Sequence, residues 1–175
     1  GAEIQDRIGL RTIRVEGDRI LLNGQPVFLR GMSAHEETTT RYGRNATPDD
    51  GKAVLSLIKE LGGNYVRLAH YPHNAHTVKL ADEMGLMVWS EIPVYWDVDW
   101  HDAGSLADAR NQLEEMITRD RNRASVITWS IGNETPNSVA RLSFMETLAD
   151  HARAVDSTRP VSAALVGDEV GQQLG

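Results

Sequence analysis

The chain has 175 residues, no cysteine and a formal net charge of −7. That length suits one domain with a real core, and the missing thiols exclude disulfide scaffolds, cysteine–zinc sites, iron–sulfur clusters and cysteine nucleophiles. The acidic balance argues against a nucleic-acid partner held by phosphate neutralisation, and no apolar run approaches the ~18–20 residues of a membrane span. A soluble chain is expected, with no nucleic acid and no membrane among its partners. The compartment is not fixed by composition, the cytoplasm being the favoured one.

The first stretch reads as short strands. Thr12–Val15 alternates and stops at Glu16-Gly17-Asp18, and Arg19–Leu22 resumes and stops at Asn23-Gly24. Asn-Gly between apolar runs signals a hairpin. A further strand is expected over Pro26–Gly31. Thr47-Pro48-Asp49-Asp50 then reads as a helix start, with a capping threonine, proline at the first helical position and acids at the positive end of the dipole. Val54, Leu55, Ile58 and Leu61 make one face of that helix and Gly62-Gly63 ends it. Asn64–Leu68 reads as a strand, residues 76–84 as a helix stopped by Gly85, and Leu86–Trp89 as a strand. Ser105 opens a helix with Leu106, Leu113, Met116 and Ile117 on one side. Ser125–Ile131 is a strongly apolar strand, Val139–Val155 steps by threes and fours as the last long helix, and Arg159–Leu165 is the last strand. Alternating strands and helices predict an α/β fold with a parallel sheet and right-handed crossovers. The strand starts recur every ~33 residues, close to one unit of a (β/α)₈ barrel. A complete barrel runs to about 250 residues, so the expectation is a partial TIM barrel, its first five strands and four helices, preceded by a short β-hairpin. An open doubly wound sheet fits the same beat, but no Gly-x-Gly-x-x-Gly follows a strand, which weakens a dinucleotide-binding reading.

Sites in parallel α/β folds lie at the carboxyl ends of the strands. The residues there are His35 and Glu36 after the first, Arg67, His70 and Tyr71 after the second, Glu91, Tyr95 and Trp96 after the third, and Asn133-Glu134 after the fourth. Polar, titratable and aromatic groups at four strand ends describe a wide pocket that suits a sugar. Glu134 ends the most apolar strand, where partial desolvation would favour a proton-donor role. The competing reading is a cap for a helix starting near Pro136. Glu91 is open to orienting a carboxylate, touching substrate or pairing with Arg67 as a structural ion pair. Trp96 and Trp100 stack on a sugar or pack their loop. His70, His73 and His76 raise a metal-dependent hydrolase as a third class, but their spacing fits neither His-Glu-x-x-His nor a zinc finger and Pro72 interrupts any helix. Ser33, His35 and Ser130 lack the Gly-x-Ser-x-Gly elbow. The Arg30, Arg41 and Arg44 cluster reads as a solvated face or as a lure for an acidic substrate.

Asn23–Gly31 followed by His35-Glu36 resembles the start of the catalytic barrel of glycoside hydrolase family 2, which includes β-galactosidases, β-glucuronidases and β-mannosidases. Asn64–Pro72 is similar to its second-strand motif, Asp82–Glu91 to its third, Trp129–Glu134 to its fourth-strand signature and Asp156–Pro160 to the lead into its fifth. Leu68-Ala69 departs from the pattern, standing where Thr-Ser is common. The resemblance implies that residues 1–25 form a hairpin or linker from a preceding sandwich domain and 26–175 a truncated catalytic barrel. It makes Glu134 the general acid/base, has Asn133 bind the hydroxyl next to the anomeric carbon, and places Arg67, His70, His35 and Glu91 on the pocket wall, beside Tyr95 and Trp96. No cofactor is implied, although some relatives bind a divalent cation near the site. The family's retaining mechanism needs a second glutamate ~5–5.5 Å from the first. The resemblance places it on a seventh strand beyond this sequence, with Asp168 and Glu169 poor substitutes on topology. The expectation is a fragment of a retaining exo-β-glycosidase acting on a β-glycoside, a glucuronide or galactoside first. Its partner would be the missing half of the barrel or another copy of the chain. The alternative is a non-catalytic carbohydrate-binding or assembly module.

Overall fold

The structure, a computed structural model, describes residues 3, 5–39 and 41–166; Asp168 and Glu169 lie outside the described residues. Strands β1 (Ile13–Glu16), β2 (Arg19–Leu22) and β3 (Gln25–Val27) form an antiparallel sheet in that order. Asn23 and Gly24 make the second turn with φ of 52° and 76°, the left-handed pair that a two-residue hairpin of the primed type demands. The Asn23 side chain accepts the Thr12 N–H at 2.9 Å.

The second sheet is parallel, in the order β4 (Gly31–Ala34), β5 (Tyr65–Leu68), β6 (Met87–Glu91), β7 (Val126–Asn133) and β8 (Val161–Ala164). Helices α1 (Pro48–Glu60), α2 (Ala75–Met84), α3 (Ala103–Asp120) and α4 (Val139–Val155) connect consecutive strands. This is the first part of a (β/α)₈ barrel with a small antiparallel sheet ahead of it. Among the described residues no helix is long and apolar enough to cross a membrane.

The single strand expected over 26–31 divides. Gln25–Val27 pairs with β2, and Gly31 starts the parallel sheet rather than ending a strand. The reason is a close approach: a Cβ at Gly31 would stand 2.3 Å from the Tyr65 carbonyl oxygen. The intervening residues are held by Asn64, which accepts the Arg30 N–H at 2.8 Å and donates to the Phe28 carbonyl at 2.9 Å. Helix starts follow local chemistry. Thr47 and Asp50 form a reciprocal capping box on α1, which satisfies two orphan amides. Asp102 rather than Ser105 caps α3, accepting the Ser105 N–H at 2.7 Å. Gly85 ends α2 in the left-handed conformation, φ 68°.

Alternation splits the sheet into two faces. Val66, Leu68, Val88 and Trp129 pack outward against Leu55, Ile58, Val78, Leu113, Met116, Ile117 and Leu148 of the helices. Tyr65, Arg67, Trp89, Glu91, Thr128 and Ser130 share the other face by register. All eight residues of β7 are buried.

The amino-terminal end of the sheet is fixed by an ionic knot. Arg159 donates to the carbonyls of Val126 (2.7 Å), Arg121 (2.9 Å) and Arg123 (3.0 Å) and to Asp156 Oδ2 at 2.6 Å. The Trp129 indole donates to the same Asp156 oxygen at 2.9 Å, and the guanidinium lies over the Trp129 ring. Burial pushes the Asp156 carboxyl up, but the hydrogen bonds from Thr158, Trp129 and Arg159 outweigh it and hold the group at about 2. A carboxyl whose folded value lies below its unfolded one stabilises the fold above the unfolded value, and that contribution is lost as pH falls through the folded one. Asp156→Asn is therefore expected to destabilise the chain by about 2 kcal/mol at neutral pH. The gap to wild type should close as pH falls from about 4 to about 2. Thermal melts of both proteins across that range check this; a gap that ignores pH refutes it.

Candidate active site

The carboxyl ends of β4–β7 gather the expected site residues around one buried carboxylate. Glu91 ends β6 and is fully buried. Its Oε2 accepts from Arg67 Nε at 3.0 Å, Arg67 Nη2 at 2.7 Å and Ser130 Oγ at 2.6 Å, and its Oε1 faces His70 Nδ1 at 2.6 Å. A carboxylate is acceptor-only, so His70 donates from Nδ1 and keeps Nε2 for other partners. Strand geometry places the set: Ser33, Arg67, Trp89 and Thr128 lie in one register row, Glu91 and Ser130 in the next. Arg67 stacks over Trp89 at 4.4 Å, which screens the guanidinium from water on one side.

Arg67 also reaches the fourth strand, where its Nη2 donates to Asn133 Oδ1 at 2.6 Å. The Asn133 backbone is clamped in turn: its N–H donates to the Val94 carbonyl (2.8 Å), and its carbonyl accepts from the Trp96 N–H (3.2 Å). Gly132 permits this, because a Cβ there would meet the Met145 side chain at 2.5 Å and the Val94 carbonyl at 3.1 Å. Glu134 follows with φ 47°, its N–H donating to the Ala164 carbonyl at 2.8 Å. Its carboxylate accepts from the Trp96 indole at 3.4 Å.

Two expectations about Glu134 change. Among the described residues the side chain is exposed, not desolvated at a pocket floor. It does not cap a helix either: α4 starts at Val139 and is capped by Ser138, whose hydroxyl accepts the Arg141 N–H at 3.1 Å. Of the readings open for Glu91, the ion pair with Arg67 is present. His35 meets His70 edge-on at 5.2 Å, His70 stacks with Tyr95 at 6.0 Å, and Tyr95 contacts Trp96 at 5.4 Å. Trp100 packs against Phe144 instead. His73 is buried, its Nε2 3.0 Å from the Ala69 carbonyl, and burial pushes its imidazole down. Arg41 and Arg44 are taken by Asp50 and Glu36, each at 2.6 Å.

Sequence reasoning named Glu36 only as a strand-end residue, weighed Ser130 only as a nucleophile and gave Trp89 no part in the site. Ser130 and Thr128 are the polar members of an apolar strand, an alternation that could have placed Ser130 beside Glu91. Glu36 is buried, accepting from Arg44 and from the Asn74 N–H at the start of α2; no local pattern announces that.

The carboxylates at this end thus differ in kind. Glu91→Gln leaves the Arg67 guanidinium facing a neutral amide in a buried place, and a loss of about 3 kcal/mol is expected. Glu134→Gln, at an exposed position, is expected to stay within about 0.5 kcal/mol of wild type. Urea unfolding of the two variants measures both, and equal losses would contradict the assignment.

Residues 13–173 match the family model described as glycosyl hydrolases family 2, TIM barrel domain. A β-glucuronidase of Paenibacillus borealis is 31% identical over 170 residues, covering 90% of this chain and 28% of that protein. A β-glucuronidase of Mus musculus is 32% identical, covering 89% and 24%, and a β-galactosidase of Arthrobacter sp. (strain B7) is 35% identical, covering 89% and 16%. Among solved structures, a β-glucuronidase from Ruminococcus gnavus superposes with a TM-score of 0.84 at 32% identity, covering 91% of this chain and 28% of that one. A family 2 β-galacturonidase from Eisenbergiella tayi bound to galacturonate gives 0.84 at 30%, covering 90% and 29%. The chain therefore spans less than a third of the length of each of these relatives. With its parallel sheet, its strand-end cluster and the match over nearly its whole length, the chain belongs to the TIM-barrel domain of glycosyl hydrolase family 2.

Proposed function

We propose that this chain carries the acid/base half of a retaining exo-β-glycosidase. The observation that carries the proposal is the Asn133-Glu134 pair at the end of β7, with Asn133 pinned by Arg67 and Glu134 exposed. Because Arg67 occupies Asn133 Oδ1, the amide Nδ2 is the donor left for a substrate hydroxyl. His70, with Nδ1 on Glu91, presents its remaining ring nitrogen on the same face, next to His35.

In the proposed reaction a carboxylate outside residues 3–166 attacks the anomeric carbon. The bond from that carbon to the glycosidic oxygen breaks as Glu134 gives its proton to the departing oxygen. Water then attacks the glycosyl ester, passing its proton to Glu134 and releasing the sugar and the second carboxylate. The described carboxylates at this end are poorly suited to the nucleophile's part: Glu91 is buried under Arg67, His70 and Ser130, and Glu36 is held by Arg44 and the Asn74 N–H. The same occupancy favours a second reading, in which the described residues bind a β-glycoside without turning it over.

Strands β4 and β8 each have one neighbour in the described sheet, and a groove of about 570 Å³ runs between α4 and β8. We read these edges as the seats for the rest of the barrel or for another copy of the chain. A β-glucuronide or a β-galactoside is the proposed substrate, in line with the names of the relatives.

The test is hydrolysis of chromogenic β-glucuronide, β-galactoside and β-mannoside by the purified chain, alone and with the remaining barrel strands of a relative supplied in trans. Turnover of at least one sugar with retained configuration is expected. Glu134→Gln should lower kcat by about 10²–10⁴-fold. Turnover that survives the substitution, or that a chelator abolishes, would remove the proposal. Binding without turnover under both conditions would leave the second reading.

A further inference from the structure

Two bulky residues in this structure adopt the left-handed backbone conformation at the site, and they touch each other. Trp96 has φ 56° and Glu134 has φ 47°, and the Trp96 indole N–H points to Glu134 Oε2 at 3.4 Å. Side chains with a Cβ avoid this conformation, and where it persists the surroundings enforce it, most often at functional sites. Here the enforcement is visible: the Trp96 N–H is tied to the Asn133 carbonyl, the Asn133 N–H to the Val94 carbonyl and the Glu134 N–H to the Ala164 carbonyl. The loop is therefore fastened to the end of β7, and Trp96 is held beside the carboxylate rather than folded away.

Folding alone does not require this. Trp96 is 62% exposed and Tyr95 43% exposed, so much of their apolar area stays in water. Trp100, four residues on, shows the alternative, packed edge-on against Phe144. The rings also form a series. His35, exposed after the edge strand β4, is followed by His70, Tyr95 and Trp96, each in contact with the next. His70 belongs to the Glu91 network, while Trp96 reaches only the exposed carboxylate at the rim.

We propose that Tyr95 and Trp96 form a binding platform for the leaving group, and that the group it takes is a planar aromatic alcohol. The inference rests on the acid/base reading of Glu134, because a carboxyl that protonates the departing oxygen has the leaving group beside it. The sugar then lies over Asn133 and His70, and the leaving group extends over Tyr95 toward Trp96. A flat π-bearing group matches two exposed rings through stacking and apolar contact, whereas a small alkyl group covers little of either. The indole N–H makes Trp96 a positioning residue as well, since it fixes which way the Glu134 carboxylate turns.

The experiment titrates the ¹⁵N-labelled chain, alone and with the unlabelled remaining barrel strands of a relative supplied in trans, with non-hydrolysable methyl and phenyl 1-thio-β-D-glucuronides and 1-thio-β-D-galactosides, following backbone and indole N–H signals. The phenyl compound of at least one sugar is expected to bind about 10-fold more tightly than its methyl counterpart, with the Trp96 indole signal moving. Trp96→Ala should bring the two within about 2-fold of each other, weakening the phenyl compound far more than the methyl one. Trp96→Phe, which keeps a ring and loses the N–H, should retain most of the phenyl preference, and its spectrum shows whether the loop still folds. Equal binding of methyl and phenyl compounds by the wild-type chain overturns the platform while leaving the glycosidase reading in place. Binding of neither, with and without the added strands, overturns both. Phenol alone binding as tightly as the phenyl thioglycosides also overturns the inference, because the rings would then be an apolar patch unconnected with a sugar.

Discussion

The site hangs on one buried charge. Glu91 is fully removed from water at the end of β6, and a carboxylate in such a place persists only where donors replace its hydration. Three side chains do so from neighbouring elements: Arg67 from β5, Ser130 from β7 and His70 from the loop after β5. Each is thereby fixed in direction. Arg67 has donors to spare, and it uses one to set the Asn133 amide. The orientation of a group on β7 thus traces back, through two hydrogen bonds, to the burial of a carboxylate on β6. Because the donors come from adjacent parallel strands, the arrangement needs the register of the sheet and little else.

The opposite end of the sheet uses the same device for a different purpose. Arg159 and Asp156 join the α4–β8 turn to the segment between α3 and β7, with Trp129 supplying both a ring and an N–H. Arg159's other donors end on the Val126, Arg121 and Arg123 carbonyls and on the Thr158 hydroxyl, so the knot is spent within the fold. At the carboxyl end, by contrast, the network leaves the Asn133 amide nitrogen and the second His70 ring nitrogen uncommitted among the described residues and the Glu134 carboxylate exposed. Similar chemistry thus gives stability at one end and a site at the other. The difference lies in how many donors and acceptors remain unspent, which agrees with the division of labour between the two faces of such barrels.

Much of this was legible in the sequence, for reasons that are local. The beat of strands and helices, the Asn23-Gly24 turn, the Thr47-Pro48 start of α1 and the Gly85 stop all follow from backbone preferences that a few residues express. The strand-end rule located the cluster of Arg67, His70, Glu91 and Asn133 without any knowledge of distances. What escaped depends on contacts between distant residues. Gly31 reads as the end of a strand until the Tyr65 carbonyl is seen where its Cβ would lie. Ser105 resembles a helix start because nothing in the sequence says that Asp102 turns its carboxylate onto the Ser105 N–H. Glu134 invites a buried reading because the strand before it is the most apolar in the sequence, yet the chain turns at Gly132 and Asn133 and carries the next side chain out of the sheet.

That turn joins the two halves of the argument. A regular strand would keep the two-residue alternation from Ser130, sending Asn133 to the helix face and Glu134 to the face of Arg67 and Ser130. The β7–β8 register instead shifts between Ser130 and Asn133, and irregularities of this kind at a strand end re-aim side chains. Glu134 then adopts its left-handed conformation, and the shift places it where Trp96 can meet it. The buried network around Glu91 makes the irregularity tolerable, since Asn133 is held by Arg67 on its side chain and by the Val94 and Trp96 backbone on its main chain. A local departure from strand geometry is thus paid for by hydrogen bonds on both sides of it. The outcome is an exposed carboxylate beside an exposed indole at the end of the most deeply buried strand in the described sheet.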